Sequence, residues 1–106
     1  MPFFNLADQK TKEIWPQVHA AFGHSEKITM ARIILEEGAL VAEHKHFHEQ
    51  WSVVMEGELE FTVSGETQSV KPGMVVFIPS NELHSVKAVT KCLVMDVFTP
   101  AREDFK

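Results

Sequence analysis

From Ile28 onward the chain is cut into short runs rich in β-branched and aromatic residues, each closed by turn residues and each too short for an ordinary helix. The runs cover residues 28–35, 40–43, 51–55, 59–63, 74–78, 85–89 and 92–98. Four of the five glycines, Gly38, Gly57, Gly65 and Gly73, fall at the joints. Glu56-Gly57, Ser64-Gly65 and Lys71-Pro72-Gly73 are places where a turn needs a positive φ or a φ pre-set by proline. Short strands at this spacing predict an all-β sandwich or barrel.

Within that frame, Leu59, Phe61 and Val63 alternate with Glu58, Glu60 and Thr62, which predicts one buried and one wet face. Residues 74–78 are apolar throughout, so both faces of that strand are expected to be covered. The first 27 residues lack this punctuation. Residues 11–15 read as one helical turn or an irregular edge segment, and Pro16 breaks any longer helix.

At 106 residues, 44% hydrophobic and 24% charged, the chain has material for one core and lies far from disordered compositions. The formal charge of -5, with ten basic residues scattered along the chain, offers no basic stripe for a phosphate backbone, so no nucleic-acid partner is expected. The single cysteine, Cys92, lies in an apolar run and reads as a small buried hydrophobe. The start has no basic segment followed by a long apolar one, and no run approaches the roughly 20 apolar residues of a membrane span. A cytoplasmic protein with no membrane partner is the expectation.

The chemistry is concentrated in the histidines. Of six, His44, His46 and His48 fall within five residues, and His84 stands alone further on. In an extended segment His44 and His46 point to the same side, so two imidazole nitrogens can meet on one ion. The wider spacing runs Gly38, five residues, His44, one, His46, three, Gln50, six, Gly57; then Gly73, five, Pro79, four, His84.

These two segments resemble the paired motifs of the cupin superfamily, in which two histidines, a following acidic residue and a later histidine converge inside a double-stranded β-helix, the jelly-roll barrel. The resemblance implies an all-β cupin barrel over residues 28–106, preceded by an N-terminal segment, residues 1–27, available as an edge or dimer strand. It implies His44, His46, Gln50 and His84 as metal ligands and one divalent transition metal ion as cofactor, with zinc, nickel, iron, manganese or copper all compatible with such donors. Two positions depart from the pattern: Gln50 stands where glutamate is usual and Asn81 where glycine is usual. Asn tolerates the left-handed turn. The neutral amide leaves the bound ion its full charge. Glu49 competes for the fourth position but points away from Gln50 in an extended segment. His48 is either a pocket wall or a surface residue, and Phe47 and Trp51 read as core or pocket lining. His19 and His24 have no metal-type partners in sequence.

A second cluster ends the chain. Asp96 interrupts the apolar run 92–98, where a carboxylate is costly unless it is paired or solvated in a cavity. Asp96 and Phe98 share a face, and Arg102 lies within reach of the barrel mouth. An Asp96–Arg102 ion pair closing the barrel is one reading. The segment 96–104 together with residues 44–50 also resembles the pectin-degradation cupins called KdgF, which open the ring of 4,5-unsaturated uronates. That resemblance implies Asp96 in proton transfer, Arg102 as a carboxylate clamp and Phe98 as the pocket wall for a small acidic substrate; Trp51 and His48, beside the histidine cluster, are further candidates to line that pocket. An oxygen-dependent metalloenzyme on the same ligands and a non-enzymatic ligand-binding barrel are the alternatives. Apolar Phe3, Phe4 and Leu6, which find no obvious place in so small a barrel, point to a homodimer.

Overall fold

The computed structural model describes residues 2–106. Ten strands form two antiparallel sheets: β1 Lys12–Trp15, β2 Val18–His24, β3 Thr29–Leu35, β4 Leu40–His44, β5 Glu49–Glu56, β6 Leu59–Val63, β7 Glu66–Val70, β8 Val75–Ile78, β9 His84–Ala88 and β10 Cys92–Thr99. The larger sheet runs β1-β2-β3-β10-β5-β8 and the smaller β4-β9-β6-β7. The all-β jelly-roll expectation holds.

Alternation sets what each sheet buries. Along β3, β5 and β10 every second residue is buried or nearly so: Ala31, Ile33 and Leu35; Gln50, Ser52 and Val54; Val94, Asp96 and Phe98. Leu59, Phe61, Val70 and Ala88 of the smaller sheet join them in one apolar core. Cys92 is buried there with its thiol donating to the carbonyls of Glu58 and Thr90.

Three strands lie where the β-rich runs did not point. The β7 segment, Glu-Thr-Gln-Ser-Val, is polar in four of its five residues and exposed except at Val70. The β2 segment holds alanines, a glycine and two histidines of modest strand preference, yet pairs with β3 along its whole length, from Val18↔Leu35 to His24↔Thr29. Residues 12–15 are extended, not helical, and form the edge strand β1. The N-terminal segment therefore carries two strands of the larger sheet, and position 27/28 falls in the β2–β3 turn. Phe3 and Phe4 are exposed, while Leu6 lies against Gly23.

One expectation is corrected. Residues 74–78 are not covered on both faces, because the sheet that holds β8 turns one face to the core and the other to solvent. Val75 and Phe77 face outward, 53% and 41% exposed, and only Ile78 is fully buried.

The turns carry the predicted backbone. Gly57 has φ +87°, and a Cβ there would sit 2.3 Å from the Lys91 carbonyl oxygen and 2.8 Å from the Cys92 sulfur. Gly65 has φ +83° with open space around it. Both positions therefore resist a side chain through strain, and Gly57 also through collision with backbone. Gly65→Ala is expected to cost about 1 kcal/mol and Gly57→Ala at least about 2 kcal/mol more, measured by urea unfolding. Equal losses at the two sites would contradict this packing.

Candidate metal centre and catalytic pocket

The strand register gathers the polar residues at one end of the barrel. In the smaller sheet His44, the last residue of β4, pairs with His84, the first of β9, which in turn pairs with Val63. In the larger sheet Gln50 of β5 pairs with Phe98 of β10. Asp96 lies one inward-facing row deeper, between Ser52 and Ala31. His46 enters from the segment joining β4 to β5. That segment is pinned by Asn81, whose N–H donates to the His46 carbonyl at 2.8 Å from a left-handed turn of φ +65°.

Each metal-type histidine is oriented by its own backbone. The Nδ1 atoms of His44, His46 and His84 lie 2.8, 3.1 and 2.9 Å from the carbonyl oxygens of Ala42, His48 and Glu82. Donating at Nδ1 leaves the Nε2 lone pairs aimed inward, the outer-shell arrangement common to metal-ligating histidines. One ligand nitrogen from each of the three lies within 4.8 Å of the others. Burial, reinforced by the Arg102 charge, holds His46 down to about 4, and burial also lowers His84, so both rings are neutral near pH 7.

Gln50 completes the set. Its amide nitrogen donates to Ser52 Oγ at 2.9 Å and to Asp96 Oδ2 at 3.1 Å, which fixes the amide with Oε1 toward the histidines. Oε1 stands 3.0 Å from His46 Nε2, so two lone-pair atoms face each other once Nδ1 holds the ring's only proton. The buried His84 Nε2 has no hydrogen-bond partner among the described residues. A divalent cation resolves both conflicts, and the residues present fit one: three imidazoles and an amide oxygen. Glu49 is exposed and points away.

Asp96 is almost wholly buried. Burial pushes its carboxyl up to about 7 against the opposing pull of the Ser52 hydroxyl and the Arg102 charge. Oδ2 accepts from Gln50, while Oδ1 is buried without a partner. Both Asp96 and Arg102 line a cavity of about 250 Å³ together with the three histidines, Gln50 and Phe98. Arg102 does not close an ion pair on Asp96. Its Nε and Nη2 donate instead to the two carboxylate oxygens of Asp104, at 3.0 and 2.8 Å.

Two expected pocket residues stand elsewhere. Trp51 follows Gln50 in β5, so the alternation that turns Gln50 inward turns Trp51 out; it is 47% exposed and packs on Phe77. His48 is buried but stands behind His46, under the exposed Phe47 ring, and does not line the cavity. His24 bonds Thr29 Oγ1 at 2.8 Å. Sequence reasoning missed Trp15, whose ring packs 5.3 Å from His44, and Thr29, fully buried, whose hydroxyl accepts the Arg102 N–H at 2.8 Å. It also missed Ser52, although its parity with Gln50 and its place in the otherwise apolar run 51–55 mark it as inward and polar.

A family model described as the cupin domain matches residues 31–98. No curated protein matches the chain by sequence. Among solved structures, KdgF from Halomonas sp. aligns with a TM-score of 0.94 at 25% identity, covering 100% of this chain and 99% of that one. An RmlC-like cupin from Shewanella frigidimarina aligns with a TM-score of 0.94 at 28% identity, covering 100% and 96%. A predicted oxalate decarboxylase from Thermotoga maritima, at 23% identity, 91% and 96% coverage and a TM-score of 0.81, shares the fold. The family match spans more than half of the chain and the barrel places its histidines together, so this protein belongs to the cupin family.

Proposed function

We propose that this cupin is a metal-dependent isomerase that opens the ring of a 4,5-unsaturated uronate to its linear keto form. The observation that carries the reading is the chain of contacts from His46 through the Gln50 amide to Asp96, inside a cavity that also holds Arg102. The similarity to KdgF over the full length of both chains supports it.

The reaction needs two proton movements and one bond cleavage. The anomeric hydroxyl loses its proton as the bond from C1 to the ring oxygen breaks, the electron pair leaving with the ring oxygen. The enolate so released takes a proton at C4 and its oxygen becomes the ketone; one proton leaves and one arrives, so atoms balance and nothing is added. A divalent ion held by His44, His46, His84 and Gln50 supplies Lewis-acid polarisation of a substrate oxygen when bound. Asp96, with its carboxyl near 7, exists in both protonation states at neutral pH and so can deliver or collect a proton at the enol. Arg102 offers a planar fork to the substrate carboxylate. Phe98, beside Gln50, forms the apolar wall.

Asp96→Asn preserves an acceptor for the Gln50 amide while removing the proton carrier. It is expected to keep one metal ion per chain by elemental analysis and to lose about a hundredfold or more in the rate at which the unsaturated-uronate absorbance disappears. His84→Ala is expected to lose most of the metal and the activity together. Metal without absorbance loss in the parent chain would overturn the substrate assignment; oxygen uptake with substrate would then favour oxidative chemistry at the same ligands. An Asp96→Asn variant as active as the parent would remove Asp96 from the mechanism.

A further inference from the structure

Asp104 is the acidic residue at the pocket to which the mechanism gives no task. It sits in the short 3-10 turn Glu103–Phe105, and its carboxylate grips one side of the Arg102 guanidinium through Nε and Nη2. The guanidinium is held from other directions too. Its carbon lies 4.8 Å from the Phe98 ring centre and 4.2 Å from that of Phe105, and the Arg102 backbone N–H is tied to the buried Thr29 hydroxyl.

The two carboxylate bonds consume two of the five guanidinium N–H groups. Of the remaining three, the far Nη2 hydrogen and one Nη1 hydrogen form the end edge of the fork. Asp104 approaches from the solvent side, with its side chain 56% exposed, whereas the Arg102 side chain is 11% exposed and lines the cavity. The free N–H groups thus lie on the side away from Asp104, on a guanidinium that lines the cavity and whose charge acts on His46, His84 and Asp96.

We propose that Asp104 is a positioning residue, holding Arg102 by its side edge so that the end edge is presented, already oriented, to the carboxylate of an acidic substrate. This inference rests on the reading of the pocket as one for an acidic sugar. An unanchored arginine would spend binding energy on ordering its long side chain; Asp104 and the two rings remove that cost in advance. The Arg102 bonds in turn hold the Asp104 carboxyl below its ordinary range, so the pair is charged throughout the neutral region.

The test uses the full metal-loaded chain with Asp104→Asn and Asp104→Glu, and Glu103→Gln as a control on the same turn, since Glu103 pairs with Lys106 and not with Arg102. Guanidinium ¹H–¹⁵N NMR of Arg102 reports positioning without any substrate, and titration of that signal with saturated galacturonate reports carboxylate binding without any turnover. The parent is expected to show a protected Arg102 Nε–H, and Asp104→Asn to lose that protection and bind galacturonate about tenfold more weakly. In turnover of the unsaturated uronate, KM is expected to rise by a similar factor with kcat little changed, and Asp104→Glu to recover part of the loss. Unchanged binding in Asp104→Asn would overturn the proposal, and tighter binding would make Asp104 a competitor for the clamp. If the parent does not turn over the unsaturated uronate, the ring-opening reading fails alone, and the NMR signals still decide the role of Asp104.

Discussion

The Gln50 side chain is the joint on which the site depends. A primary amide has one end that accepts and one that donates, and here the donor end is fully committed to Ser52 and Asp96. The acceptor end is therefore turned to the histidines, where a carboxylate in the same place would put a negative charge against Asp96. Two carboxylates that close would push each other's protonation upward and share a proton. The amide avoids that conflict: it puts no second carboxyl against Asp96, and it would give a bound ion a neutral ligand, so that the ion's charge would stay undiluted.

The barrel makes this joint by register. Gln50 pairs with Phe98 and Ser52 with Asp96, so the two polar residues of β5 stand beside the wall and the acid contributed by β10. The opposing sheet supplies His44 and His84 as a cross-strand pair at the same end. A one-residue slip of β5 would turn Gln50 and Ser52 outward and bring Trp51 and Val53 into the cavity, removing the ligand and the Asp96 partner together. The apolar core below holds that register, and the cost of burying Asp96 is offset by the amide hydrogen bond and the nearby Arg102 charge.

Much of this was legible in the sequence because it rests on local rules. Turn glycines and period-two alternation marked the strands from β3 onward except the polar β7, and the clustering of His44 and His46 with the later His84 marked a metal-type site. An aspartate in an otherwise apolar run marked Asp96 as unusual. What failed, failed for identifiable reasons. Trp51 reads as core or pocket lining because it adjoins the histidine cluster, against the alternation that assigns it outward once Gln50 points in. His48 stays between pocket wall and surface in the sequence because residues 45–48 form no strand, so alternation cannot place it, and His46 reaches the site from that same loop. The N-terminal strands escaped because β2 earns its place through long-range pairing with β3 and not through its own composition. The ion pair of Arg102 with Asp96, one of the two readings of that cluster, does not form because the acid two residues away wins through a two-bond contact that only the backbone turn reveals.

The central claim is that three imidazoles and the Gln50 amide oxygen converge on one divalent ion. Anomalous diffraction from zinc-loaded crystals tests it most directly. The account predicts one strong peak per chain, about 2.0–2.2 Å from the Nε2 atoms of His44, His46 and His84 and from Gln50 Oε1. A peak bound through Nδ1, a peak away from these four residues, or no peak in excess zinc would contradict it.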